Sequence, residues 1–144
     1  MANTPGLPSG SAVRLRAMSA AYPASGLKLA LYLATATITG ATTVYTTTGE
    51  VTGAGYTAGG ATVNSSTAPA ATGNVTYFTP AASITWTNVS IGPFDVGMLY
   101  DTNASNQNLG VFAFGGSQSV VNADFTLNMP TNNSTSALVR WTWS

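Results

Sequence analysis

The chain has 144 residues, zero formal net charge, four Lys/Arg, four Asp/Glu, no His and no Cys. A length of this order fits one domain with a proper core. Neutrality excludes an electrostatic footprint for nucleic acid, and the missing Cys and His exclude disulfides, thiol chemistry and the commonest zinc ligands.

Residues 1–26 read as an extended N-terminal arm. Pro5, Gly6, Pro8, Gly10, Pro23 and Gly26 interrupt any long element there. Arg14 and Arg16, two of the four cations, lie between those breakers. Residues 13–22 admit either a short strand or one turn of helix. No charged segment precedes an apolar core at the start, so no secretory signal is predicted. The longest apolar run, around residues 27–36, contains Lys28 and Thr35 and is too short to span a bilayer. No membrane partner is expected.

Residues 27–144 read as a β-sandwich domain. Leu27, Leu29, Leu31 and Leu33 alternate with Lys28, Ala30, Tyr32 and Ala34, the period-two pattern of a strand with one buried face. The Thr-rich stretch that follows, residues 35–48, has the β-branched stiffness that suits strands. Further short strands are predicted at 61–64, 74–78, 83–91, 96–100, 109–114, 121–129 and 137–143, each bounded by Gly, Pro, Asn or Ser. Phe125, Leu127 and Met129 share one face, as do Val139, Trp141 and Trp143. In residues 83–91 the phase slips, because Ile84 and Trp86 fall on one parity and Val89 and Ile91 on the other. A β-bulge near Asn88 restores a common face. The expectation is an all-β fold, a jelly-roll-like β-sandwich of about eight or nine short antiparallel strands. A lipocalin-like closed barrel is the rival, and periodicity does not separate the two.

Chemistry is sparse. Acid–base catalysis needs a titratable group held near its target, and only Glu50, Asp95, Asp101 and Asp124 qualify. None are paired in sequence, so they read as loop residues. A glycosidase would need two of them flanking a sugar cleft. Trp86, Trp141 and Trp143 would suit stacking on sugar, but Trp in an alternating strand reads first as core. Gly115-Gly116-Ser117-Gln118-Ser119 lacks the spacing of a serine nucleophile elbow and reads as a turn. Residues 53–60 are Gly-rich but lack the Lys of a phosphate loop, and read as a turn that needs positive φ. Asp101-Thr102-Asn103-Ala104-Ser105-Asn106 lacks the Gly and distal Glu of a calcium loop and reads as an Asx-rich hairpin turn. No cofactor and no metal site is expected.

The stretch Gly53-Ala54-Gly55-Tyr56-Thr57-Ala58-Gly59-Gly60 resembles a segment of small virion structural proteins of tailed bacteriophages. Lys28-Leu29-Ala30-Leu31-Tyr32, Trp86-Thr87-Asn88-Val89-Ser90-Ile91, Met98-Leu99-Tyr100-Asp101 and Phe112-Ala113-Phe114-Gly115-Gly116 are similar to further pieces of that family. So is Ala123-Asp124-Phe125-Thr126-Leu127-Asn128-Met129-Pro130, and the resemblance covers roughly residues 28–140. Family members tend to carry Ala-Arg-Gly where this chain has Gly92-Pro93-Phe94-Asp95-Val96-Gly97, so no role for an Arg carries over.

The resemblance implies a structural protein of the virion, with no catalytic residues to carry over, and the leading expectation is a non-enzymatic capsid decoration, or cement, protein on the outer surface of the virion. Its partners would be the major capsid protein and itself, as a homodimer or homotrimer. Composition points the same way independently. Charged residues are 6% of the chain, against about 25% in an ordinary domain. Such a protein tends to self-associate, and a surface covered by neighbours has less need of charge. Arg14 and Arg16 in the arm and Trp141 and Trp143 in the tail are the expected interface residues, since Arg and aromatics are the usual anchors. The alternative is a tail, baseplate or head-fibre protein with receptor or glycan binding.

Overall fold

The computed structural model describes residues 26–63, 70–73, 75–79, 83–129 and 135–142. Seven strands occur among them: β1 (Leu27–Leu33), β2 (Ala61–Thr62), β3 (Ala70–Thr72), β4 (Val75–Phe78), β5 (Ile84–Asp101), β6 (Gln107–Leu127) and β7 (Val139–Thr142). They form a four-stranded sheet of order β2-β1-β5-β6 and a three-stranded sheet of order β3-β4-β7. All paired strands are antiparallel. The all-β expectation therefore holds.

β1 begins where Leu27 faces Asp101 of β5. Its odd positions Leu27, Leu29 and Leu31 are buried in the larger apolar cluster, with Trp86, Val89, Phe94 and Leu109. Its even positions Ala30 and Tyr32 are buried too, in a second cluster with Ile38, Val96, Met98 and Val111. The sequence pattern implied one buried face, and the structure buries both. Small and aromatic residues alternating with Leu carry no polar signal for a covered second face, and the cover comes from distant chain.

That cover is the segment between β1 and β2. Residues 35–48 do not extend the strand. Their hydroxyls bond nearby backbone instead: Thr42 Oγ1 accepts from Thr39 N, Thr39 Oγ1 from Ala41 N and Thr46 Oγ1 from Thr48 N, each at 3.1 Å. Thr offers the backbone this alternative to a ladder, which is why its β propensity fails here.

Strands predicted as four short pieces are two long ones. β5 runs 18 residues and β6 runs 21. The breakers Gly92-Pro93 and Gly115-Gly116 sit at register shifts within the hairpin rather than in turns. An extra residue opposite a paired partner makes a bulge, and the positive φ of Gly115 and Gly116 (79° and 147°) suits one. The bulge read at Asn88 is present: the register shifts between Trp86 and Val89, and Asn88 has φ 50°. Its N–H donates to Asp124 Oδ1 at 2.8 Å. Ile84, Trp86, Val89 and Ile91 consequently share the buried face. The β5–β6 connection is the Asx turn expected, with Asp101 Oδ1 accepting from Asn103 N at 2.8 Å and Ser105 left-handed.

The chain leaving β4 meets the chain entering β7 where Leu138 N donates to buried Thr79 Oγ1 at 2.9 Å. Leu138 packs against the larger apolar cluster. No helix among the described residues is long and apolar enough to cross a membrane.

Asn tolerates the left-handed region and β-branched residues do not. Asn88→Val is expected to lower unfolding free energy by about 1–2 kcal/mol, and Asn88→Gly by under about 0.5 kcal/mol. Urea unfolding of the two variants checks this.

Candidate functional site

Glu50 lies at the centre of the cover over β1. Leu33 N donates to Gly49 O at 2.8 Å and Val51 N to Leu31 O at 3.0 Å, which lays this loop along the strand. Glu50 is 6% exposed. A carboxylate so enclosed needs partners for its lone pairs. Its Oε2 accepts from Tyr45 Oη at 2.6 Å. Its Oε1 accepts from Tyr56 Oη at 2.7 Å and from Gly59 N at 2.7 Å. Tyr56 Oη in turn accepts from Leu31 N at 3.0 Å.

Three more contacts extend the network. Tyr100 Oη donates to Gly59 O at 2.6 Å. Tyr45 stacks on Tyr100 with ring centroids 4.7 Å apart. Tyr32 Oη donates to Thr46 O at 2.7 Å. Four tyrosines and one carboxylate thus fasten residues 45–60 to the sheet.

The Gly-rich stretch is the backbone half of this fastening. A Cβ on Gly60 would stand 1.9 Å from Leu29 O, and one on Gly53 2.0 Å from Ser90 O. Both glycines lie at positive φ (81° and 156°). Only Gly lets the loop touch the backbone of β1 and β5 at those points.

Electrostatics follow from this enclosure. Burial, then the Glu50 carboxylate, pushes the Tyr100 phenol up to about 12. Burial and Glu50 hold Tyr32, Tyr45 and Tyr56 still higher. Three donors meet the two Glu50 oxygens, so the group acts as a fastener. The other carboxylates do separate work. Asp101 is fully buried at the β5–β6 turn, Asp124 holds the Asn88 bulge, and Asp95 is half-buried on β5. No group of three or more acidic side chains that would hold a metal occurs among the described residues.

The solvent face of the β5–β6 hairpin is a different surface. Thr85 and Thr126 hydroxyls meet at 3.0 Å, Ser90 Oγ donates to Asn122 Oδ1 at 3.2 Å, and Ser83 Oγ to Asn128 Oδ1 at 3.4 Å. A shallow groove of about 320 Å³ opens beside it, lined by Thr52, Ser90, Gly92, Ser119 and Val121 among others. Val121 is 72% exposed. β6 is also the edge of its sheet, and among the described residues only its first two, Gln107 and Asn108, meet another segment on the outer side.

Of the interface residues read from sequence, Arg14, Arg16 and Trp143 lie outside the described residues. Trp141 lies on β7, the edge of the smaller sheet, opposite Thr76; its side chain is not among those described. Trp86 is a core residue, 5% exposed. Sequence reading missed Glu50, taken there as a loop carboxylate. The available signal was two nearby tyrosines, Tyr45 and Tyr56, with Tyr32 farther off on β1, but it has no fixed spacing. Compared with protein-family models, with curated proteins and with solved structures, the chain finds no match.

Glu50→Ala removes the acceptor of three donors and should lower stability by about 3–5 kcal/mol, against about 2 kcal/mol for Tyr45→Phe. Gly60→Ala, which meets backbone at a positive φ, should cost about 2–5 kcal/mol. Urea unfolding measures all three. A phenol whose pKa is raised on folding contributes stability present below the unfolded value near 10 and lost as pH rises through the folded one. Urea midpoints should therefore hold to about pH 10 and fall from there to pH 12 and beyond. The fall should be shallower in Tyr100→Phe.

Proposed function

We propose that the chain is a capsid decoration, or cement, protein of a tailed bacteriophage, seated on the outer face of the major capsid protein lattice. One observation carries the reading. The segment that resembles the virion family, residues 53–60, is the same segment that clamps the loop onto the sheet through Tyr56, Gly59 and Gly60. The family likeness thus falls on what fastens the loop to the sheet.

Other features support an adhesive, non-enzymatic role. The exposed hairpin face is built of hydroxyls and amides, with Asp124 its one carboxylate on β6. Such a face suits broad, wet contacts with many bridging waters. A modest interface repeated over a symmetric shell gains strength through avidity. A homodimer or homotrimer is the natural unit for seating on such a lattice. The jelly-roll-like sandwich belongs to this reading, supported by Leu138, immediately before β7 of the smaller sheet, packing against the larger apolar cluster. The rival reading places the protein in the tail, the baseplate or a head fibre, binding a receptor or glycan.

Quantitative mass spectrometry of purified virions separates the two. Decoration requires on the order of hundreds of copies per particle, in fixed ratio to the major capsid protein, whereas a symmetric tail structure holds on the order of a dozen. Particles stripped of the protein should also break at lower temperature or on dilution into low salt. Equal stability of stripped and complete capsids would end the cement role.

A further inference from the structure

The outer edge of β6 is long, nearly uncharged and unpaired beyond Asn108 among the described residues. Such an edge is a template for another strand. The side chains along it are incompletely covered. On β5 the inward residues Trp86, Val89, Ile91 and Phe94 are buried. On β6 their neighbours Phe112, Phe114, Val120, Phe125 and Leu127 are only half-buried. One further strand outside β6 would complete that layer.

Charge and pattern identify the strand. Residues 1–25 hold Arg14 and Arg16 and no carboxylate, for +2. The rest of the chain holds Lys28 and Arg140 against Glu50, Asp95, Asp101 and Asp124, for −2. Within the arm, Val13, Leu15 and Ala17 alternate with Arg14 and Arg16. On β6 the last unbulged stretch, residues 123–127, alternates the same way. Phe125 and Leu127 turn to the apolar cluster, and Asp124 and Thr126 are exposed.

We infer that residues 13–17 of one copy add as an antiparallel strand to residues 123–127 of a second copy. In the register Val13 opposite Leu127, Leu15 falls beside Phe125 and Arg16 beside Asp124. Reach selects the neighbour's arm over the chain's own. Ala123 faces Val89, twelve residues along β5 from Asp101, roughly 40 Å at about 3.3 Å per residue. Gly26 is fixed at the Asp101 end, where its carbonyl accepts from Thr102 N. Nine residues, from Ala17 to Gly26, stretch to at most about 32 Å. Backbone bonds supply affinity in such strand addition and the alternating side chains supply register. The inference names a second copy as partner and needs no capsid, so it is tested in dilute purified protein, apart from the virion measurements.

The full-length chain has no native Cys, which makes cross-linking direct. Single variants Ala17→Cys and Ala123→Cys are mixed in equal amounts and mildly oxidised, and the disulfides are mapped by mass spectrometry. The mixed 17–123 dimer should exceed either like-with-like dimer by about fivefold, and adding Arg16→Glu to the first variant should cut its yield by a similar factor. A statistical mixture of the three dimers, or a yield indifferent to Arg16→Glu, overturns the inference. So does a chain carrying both Cys that closes on itself at high dilution.

Discussion

A buried carboxylate is tolerated only where donors meet its lone pairs. Glu50 meets that condition with two phenols and one backbone amide, and the remainder of the fold is arranged around the result. The network holds the long loop between β1 and β2 against the sheet. That loop contributes Ile38, and Tyr45 packs alongside, in the cluster on the second face of β1. Without it Ala30, Tyr32, Val96, Met98 and Val111 would face water. A polar fastening thus makes a second apolar layer possible, and the two are energetically coupled.

The same device explains why the Gly-rich stretch looks like a motif. Gly53 and Gly60 allow backbone to rest on backbone, Gly59 presents its N–H to the carboxylate, and Tyr56 bridges Glu50 to Leu31. Three roles, carried by four residues, fall within eight consecutive positions. The solvent face of the hairpin presents Thr85, Thr126, Ser90 and Asn122.

Legibility followed range. The Leu alternation of β1, the positive φ of the Gly-rich turn and the Asp101 turn are short-range matters of sterics and local hydrogen bonds, and each was readable. Asn88 was readable as well, because a phase slip between Trp86 and Val89 has one economical remedy in a strand. The breakers misled where a partner strand was present. Gly92-Pro93 and Gly115-Gly116 announce turns when taken alone, yet the paired hairpin absorbs them as bulges. Residues 35–48 misled in the opposite sense, since Thr hydroxyls took the backbone bonds that a ladder would have used.

Sequence alone determined the all-β class, the buried strand at Leu27, Leu29 and Leu31, the bulge at Asn88 and the scarcity of titratable groups. These depend on residue type and parity, which are properties of neighbours in the chain. Tertiary structure alone decided the role of Glu50, the burial of both faces of β1 and the exposure of the β6 edge. The burial of β1 depends on contacts between segments 14 to 41 positions apart, such as Tyr32 with Thr46 and Tyr100 with Gly59, while Glu50 meets its partners at 5, 6 and 9 positions only because the loop folds back on itself. A carboxylate's environment is set by what folds over it, and no local pattern encodes that.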